Sequence, residues 1–181
     1  MPYYKGHFLF ALPSLDGSYF ERKVIYLLEH NAHGAMGVVI NQSLKSFDVK
    51  QLIHQYSLNI HIETLTEQSI FGGGPVDTNV IHVLHENPNP ETHHASLELT
   101  TSTEMLKSIL NGNSWHKHLI IMGRSMWAAG QLEHELEQGV WWATSSFNAL
   151  VFDVPYQQRW SVGMEQLGIN PNKLTAQIGN A

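Results

Sequence analysis

The chain contains no cysteine. A disulfide framework, a thiolate nucleophile and a cysteine-based zinc site are therefore excluded. Charge is also sparse: Asp, Glu, Lys and Arg make up only 14% of the residues. The ten basic residues are scattered, and Arg22-Lys23 is their one adjacent pair. A nucleic-acid binder usually carries a basic stripe that releases counterions from phosphates. With sixteen acidic residues against ten basic ones, the formal charge is −6, and direct nucleic-acid binding is not expected. No apolar run approaches the roughly 18 residues of a membrane-spanning helix. FLFAL near the N-terminus is too short for the apolar core of a signal peptide. The expectation is a cytoplasmic protein that makes no membrane contact. Motifs are missing too: no GxSxG elbow, phosphate-binding loop, GxGxxG or HExxH occurs. No catalytic residue, cofactor or metal is assigned.

What is present suits a globular domain. Apolar residues make up 43% of the 181, enough for one core spanning residues 1–181. Twelve histidines make the net charge pH-sensitive below about pH 6.5. They include His30/His33, His93-His94, His116/His118 and His134. A metal site needs three or four converging ligands. His116 and His118 would share a face if they lie on a strand. No acidic or thiol set accompanies any of these histidines, so they read as solvated loop and strand-edge residues.

Taken in order, residues 7–11 read as a strand, broken by Pro13 and Asp16-Gly17. Strands over 24–30 and 35–41 are joined through Asn31 to Gly34 as a hairpin. Gly37 inside the second marks a bulge or a close backbone approach. Val49, Leu52, Ile53 and Tyr56 fall on one face of a helix over 47–56, with Ser46 as its cap. Strands follow at 69–72, 80–86 and 96–100, with a polar, proline-interrupted loop at 87–94. Thr101-x-x-Glu104 matches a capping box for a helix ending near Gly112. Residues 118–122 form a buried strand, a turn is expected at Gly123, and a helix spans 126–138. NALVFDV places a strand at 148–154, and a last helix over 155–167 begins at Pro155. The tail from 170 reads as frayed. Asp16 and Asn41 lie beside turns and read as caps. Paired hairpins with a few helices make the sheet mixed, α+β or a strongly mixed α/β.

Two stretches are candidate sites. FGGGPV at 71–76 exposes consecutive backbone N–H groups that could cradle an anion. A tight turn with close packing is weighed above that use, because glycine's main role is conformational. In the helix over 126–138, Ala128, Leu132 and Leu136 form an apolar ridge, and Glu133, Glu135 and Glu137 face elsewhere as a solvated surface. Trp127 and Gln131 would then rim a cleft, since buried indoles and amides need partners. Acid–base work by Glu133 would require a second perturbed group.

GHFLFALPSL at 6–15, HGAMGVVIN at 33–41, FGGGPV at 71–76, and GRSMWAAGQLEHE at 123–135 followed by GVWW occur in one order across the chain. Together they resemble the YqgE/AlgH family of bacterial proteins. The resemblance implies a compact α+β domain with a barrel-like, mixed sheet. It also implies a transcription-linked regulatory role, exerted through an unidentified protein partner because basic residues are few. It transfers only motif positions: Gly73, Gly74, Pro75, Trp127, Gly130, Gln131, Leu132, Glu133 and Trp142. Lys23 stands where the family commonly has serine, an extra glycine precedes GGPV, and Met126 replaces a glycine. The alternative function is an enzyme or small-ligand binder using a cleft between Gly73-Gly74-Pro75 and Trp127, Gln131 and Glu133.

Overall fold

The computed structural model describes residues 3–45, 47, 49–58, 68–87, 96–113, 117–145 and 148–170. Runs rich in β-branched and aromatic residues become strands β1 (His7–Ala11), β2 (Val24–Asn31) and β3 (Gly34–Val39). These are followed by α1 (Val49–Gln55), β4 (Ile70–Gly72), β5 (Val76–Asn87), β6 (Ser96–Thr100) and α2 (Thr103–Leu110). The chain continues through β7 (His118–Ala128), α3 (Gln131–Glu137), β8 (Trp141–Ser145), α4 (Ala149–Phe152) and α5 (Arg159–Gln166). The strands form one eight-stranded sheet in the order β6-β5-β7-β3-β2-β1-β8, and β4 also pairs with β7. Every pairing is antiparallel except β4 with β7. The α+β expectation holds. The sheet curls without closing, and the Tyr26 hydroxyl on β2 reaches the Leu97 backbone on β6.

Strand alternation sends side chains to opposite faces. Phe8, Phe10, Val24, Tyr26, Leu84 and Ile121 form one core with Leu150, Val151, Trp160 and Met164 of α4 and α5. On the other face, Ile81, Val83, Ile120 and Met122 pack under α1 and α2. Leu9, Ile25, Leu27 and Val39 pack with Trp127, Leu132 and Trp141 under α3. Consecutive residues Leu119, Ile120 and Ile121 of β7 therefore serve both faces, which explains that strand's unbroken apolar run.

Four local expectations are corrected. Gly123 does not end its strand: it takes φ +77 within β7, which continues to Ala128. Trp127 is consequently a strand residue, paired with Ala35 of β3, and the helix begins only after Gly130. The cap of α2 is Ser102, whose Oγ accepts from the Met105 N–H at 3.2 Å, not Thr101. Residues 149–152 are helical, so no strand occupies 148–154. Leu150 and Val151 are both fully buried although adjacent, and such a short apolar run does not separate helix from strand by periodicity. Ser46, the proposed cap of α1, the histidine pair 93–94, His116 and the tail from 171 lie outside the described residues.

Gly37 does mark a close approach: a Cβ there would sit 2.7 Å from the Tyr26 carbonyl oxygen. Gly73 and Gly74 make a closer crossing still, against β7. A Cβ on Gly73 would meet the Gly123 carbonyl oxygen at 2.3 Å, and one on Gly74 the Arg124 carbonyl oxygen at 2.2 Å. Both obstacles are backbone and cannot rotate away. Gly73→Ala is therefore expected to lower unfolding stability by roughly 3 kcal/mol. In Gly72→Ala only the flexible end of Leu44 stands close, at 3.1 Å, and the cost should stay near 1 kcal/mol. Urea titration of both variants checks the difference.

Candidate functional site

The two sequence candidates are neighbours in the fold. The Gly73 N–H donates to the Met122 carbonyl at 2.7 Å, and the Gly73 carbonyl accepts from the Val39 N–H at 2.8 Å and the Ser125 hydroxyl at 3.2 Å. FGGGPV is thus stitched to the β7 segment that leads to Trp127. Gly73 and Gly74 are buried, and Pro75 is exposed at the entry to β5.

Glu135 organises the polar groups of α3. Its Oε2 accepts from the indole N–H of Trp127 at 2.9 Å and of Trp141 at 2.7 Å. Its Oε1 accepts from the Gln131 amide at 2.9 Å, and the Gln131 carbonyl oxygen accepts from the Ala128 N–H at 3.0 Å. The two indoles stand edge to face, 6.0 Å between centroids. Glu135 was read from sequence as part of a solvated face. It is instead the shared acceptor of two core tryptophans, and the i, i+4 spacing from Gln131 was the available sign. The polar groups of Trp127 and Gln131 are therefore largely taken up inside the protein.

Glu133 turns toward a buried histidine. Its Oε1 lies 3.1 Å from Nε2 of His30, whose side chain is fully buried. The approach is an ion-pair distance without hydrogen-bond alignment, and Glu133 Oε2 has no partner. His30 Nδ1 accepts from the Tyr4 N–H at 2.9 Å, which places the proton of the neutral ring on Nε2, facing Glu133. Tyr4 stacks on the ring and Tyr3 meets it edge-on. His33 is exposed on the adjoining turn, so His30 and His33 do not converge. Among the described residues, no three His, Asp or Glu side chains form a metal-binding group. Asn41 caps as expected: its Oδ1 accepts from the Val24 N–H and its Nδ2 donates to the Arg22 carbonyl.

Two features had no place in the sequence reading. Beside FGGGPV, Arg124 pairs with Asp77 at 2.6 Å, and buried His82 lies within their field, its Nε2 without a partner. Burial first, and Arg124 second, push His82 below the usual imidazole range. The other feature is an open cavity of about 520 Å³ between the start of β7 and the segment from α4 to α5. Phe71, Leu119, Ile120 and Phe152 give it apolar walls, and Gln68, His118, Asp153, Tyr156 and Arg159 line it with polar groups. An adjoining cavity of about 310 Å³ adds Lys117, which holds Asp153 at 2.6 Å. Arg159 is only 5% exposed. Its Nε donates to the Val154 carbonyl at 3.1 Å, Nη1 donates to the Ile40 carbonyl, and the guanidinium lies 5.5 Å from the Phe71 ring centroid. Burial pushes its pKa down to about 10, so it stays charged at neutral pH. The sequence held a sign of it: Arg159 has Pro155, Tyr156, Val162 and Gly163 at its helical neighbour positions, and none can form an ion pair.

Two expectations follow. Glu135→Ala leaves two indole N–H groups unpaired and should cost roughly 3 kcal/mol, with a shift in tryptophan emission, measured by denaturant titration followed by fluorescence. His82 binds its proton less readily folded than unfolded, so its contribution to stability is lost as pH falls through the unfolded value near 6.5. His82→Asn should therefore flatten the stability decline between about pH 7 and pH 5 relative to the parent, as read by melting temperatures across that range.

The DUF179, AlgH-like family model matches residues 8–172. A UPF0301 protein of Ralstonia pickettii is 35% identical over 180 residues, covering 97% of this chain and 94% of that protein. One from a Shewanella species is 38% identical over 184 residues, covering 98% of each. The solution structure of the AlgH protein from Pseudomonas aeruginosa superposes with a TM-score of 0.77 at 35% identity, covering 99% of this chain and 96% of that one. A Corynebacterium diphtheriae protein of 21% identity shares the fold at a TM-score of 0.65, covering 96% of this chain and 90% of its own. The chain belongs to the AlgH-like family, also called UPF0301, a family of unknown function.

Proposed function

We propose that this protein is a cytoplasmic, ligand-responsive regulatory protein. It takes up a small molecule in the cavity beside Arg159 and relays that state to a protein partner, without contacting nucleic acid itself. One observation carries the reading: an open cavity of about 520 Å³ sets Arg159 beside apolar side chains. Ligand sites typically span roughly 300–1,000 Å³ and combine apolar walls with a few convergent polar groups. Here apolar side chains meet a guanidinium, a carboxylate, a phenol, and an amide and imidazole that bond each other at 3.4 Å. The alternative site between Gly73-Gly74-Pro75 and Trp127, Gln131 and Glu133 has less to offer a ligand. Its glycines are pressed on β7, and its indole and amide are bonded to Glu135. The regulatory half of the reading rests on the family resemblance and on the lack of any basic stripe.

Screening a fragment library against the ¹⁵N-labelled full chain tests the site. Binding fragments should shift the amides of Leu119, Ile120, Val154 and Tyr156 to Arg159. Fragments that shift only the amides around Gly73 and Gln131, or none that bind, would overturn this assignment.

A further inference from the structure

The geometry points to an anion-binding subsite within this cavity, with Arg159 as its anchor and a carboxylate or phosphate monoester on a compact apolar body as its ligand. The inference rests on the ligand-binding reading above and specifies the ligand's charge. Arg159 is a cation that is 5% exposed, and among the described residues no carboxylate pairs with it. A buried charge without a counter-charge is costly, and the fold retains this one by tying it to neutral partners. Nε and Nη1 donate to the carbonyls of Val154 and Ile40, and the guanidinium rests against the Phe71 ring. Those contacts fix the orientation of the guanidinium plane but do not neutralise it. Neither hydrogen bond uses Nη2, and Arg159 is one of the residues that line both cavities. A guanidinium recognises planar anions through paired N–H groups, and preorganisation reduces the entropy lost on binding.

The surroundings favour an anion. The charged or titratable groups lining the two cavities are Lys117, His118, Asp153, Tyr156 and Arg159. Asp153 is already held by Lys117 at 2.6 Å, so among the described residues Arg159 remains the cavity charge without a paired counter-charge. Beside it, Phe71 and Tyr156 meet edge to face at 5.6 Å, and Phe152 and Ile120 extend the apolar wall. A ligand seated on this surface would place its charged end at Arg159 and its apolar body against the aromatic rings.

Titration calorimetry on the full chain with phenyl phosphate, benzoate, inorganic phosphate and neutral benzamide tests the subsite. Phenyl phosphate or benzoate should bind at least tenfold more tightly than benzamide, and the tighter of the two identifies the anion. Inorganic phosphate, lacking the apolar body, should bind more weakly than phenyl phosphate. Arg159→Gln should remove the anion preference, and Lys117→Gln, which releases the Asp153 carboxylate in the cavity, should lower it without abolishing it. Comparing the four probes needs only the parent chain, so it holds even where Arg159→Gln fails to fold. Equal binding of benzamide and benzoate would overturn the anion subsite and leave the ligand-binding reading standing. Failure of all four probes, together with an empty fragment screen, would overturn both. An anion preference unchanged in a folded Arg159→Gln protein would remove Arg159 as the anchor.

Discussion

The contact on which the architecture depends is the passage of one backbone directly across another, Gly73-Gly74 over Gly123 to Ser125. Over its first half, β7 is flanked by β5 on one side and by the parallel strand β4 on the other. Over its second half, β3 takes the place of β4. The exchange occurs at Gly73, which receives the Val39 N–H and the Ser125 hydroxyl on its carbonyl and donates its own N–H to Met122. No side chain fits in that space, since even a single Cβ would fall inside van der Waals contact with backbone oxygen. The crossing lets one long strand join the β1–β2–β3 hairpins to the β4–β5–β6 part of the sheet, and so brings the three core clusters into one body.

Interior polar groups around this frame differ in how fully they are paired. Glu135 is satisfied: two indoles and an amide use both of its oxygens, and it locks α3 to β7 and β8. His30 and Glu133 are partly satisfied and tie β2 to α3. Arg159 is anchored but not neutralised. Buried polar groups are normally paired, so the exceptions call for a reason. Within the GRSMWAAGQLEHE block, Trp127, Gln131 and Glu135 are explained by packing and mutual hydrogen bonds. The charge without a counter-charge among the described residues, Arg159, lies beyond that block at a position marked by no motif.

How far the sequence could be read depended on where the information lay. The hairpin strands followed from local pattern: β1 occupies the expected residues 7–11, β6 occupies 96–100, and the turn at Asn31 to Gly34 joins β2 to β3. The errors came where long-range pairing overrode local preference. MWA at 126–128 would continue readily into a helix but is held extended by β3. ALVF at 149–152 is β-prone but sits as a helix turn that buries Leu150 and Val151 in the core shared with α5. Glu133 and Glu135 looked solvated because their partners, His30, Trp127 and Trp141, stand on strands distant in sequence or off the helix itself.

The sequence by itself determined the class of the protein. Its composition called for one apolar core, its hairpin spacing for a mostly antiparallel sheet, and the order of its conserved-looking blocks for the AlgH-like family. These properties reside in local periodicity and in glycine placement, both of which are written along the chain. Only the tertiary structure decided which polar groups are neutralised. It brought Glu135 to the indoles, placed Gly73 beneath β3, and left Arg159 charged at a cavity wall. Pairing in space depends on contacts between residues as far apart as Ile40 and Arg159, and no local pattern encodes it.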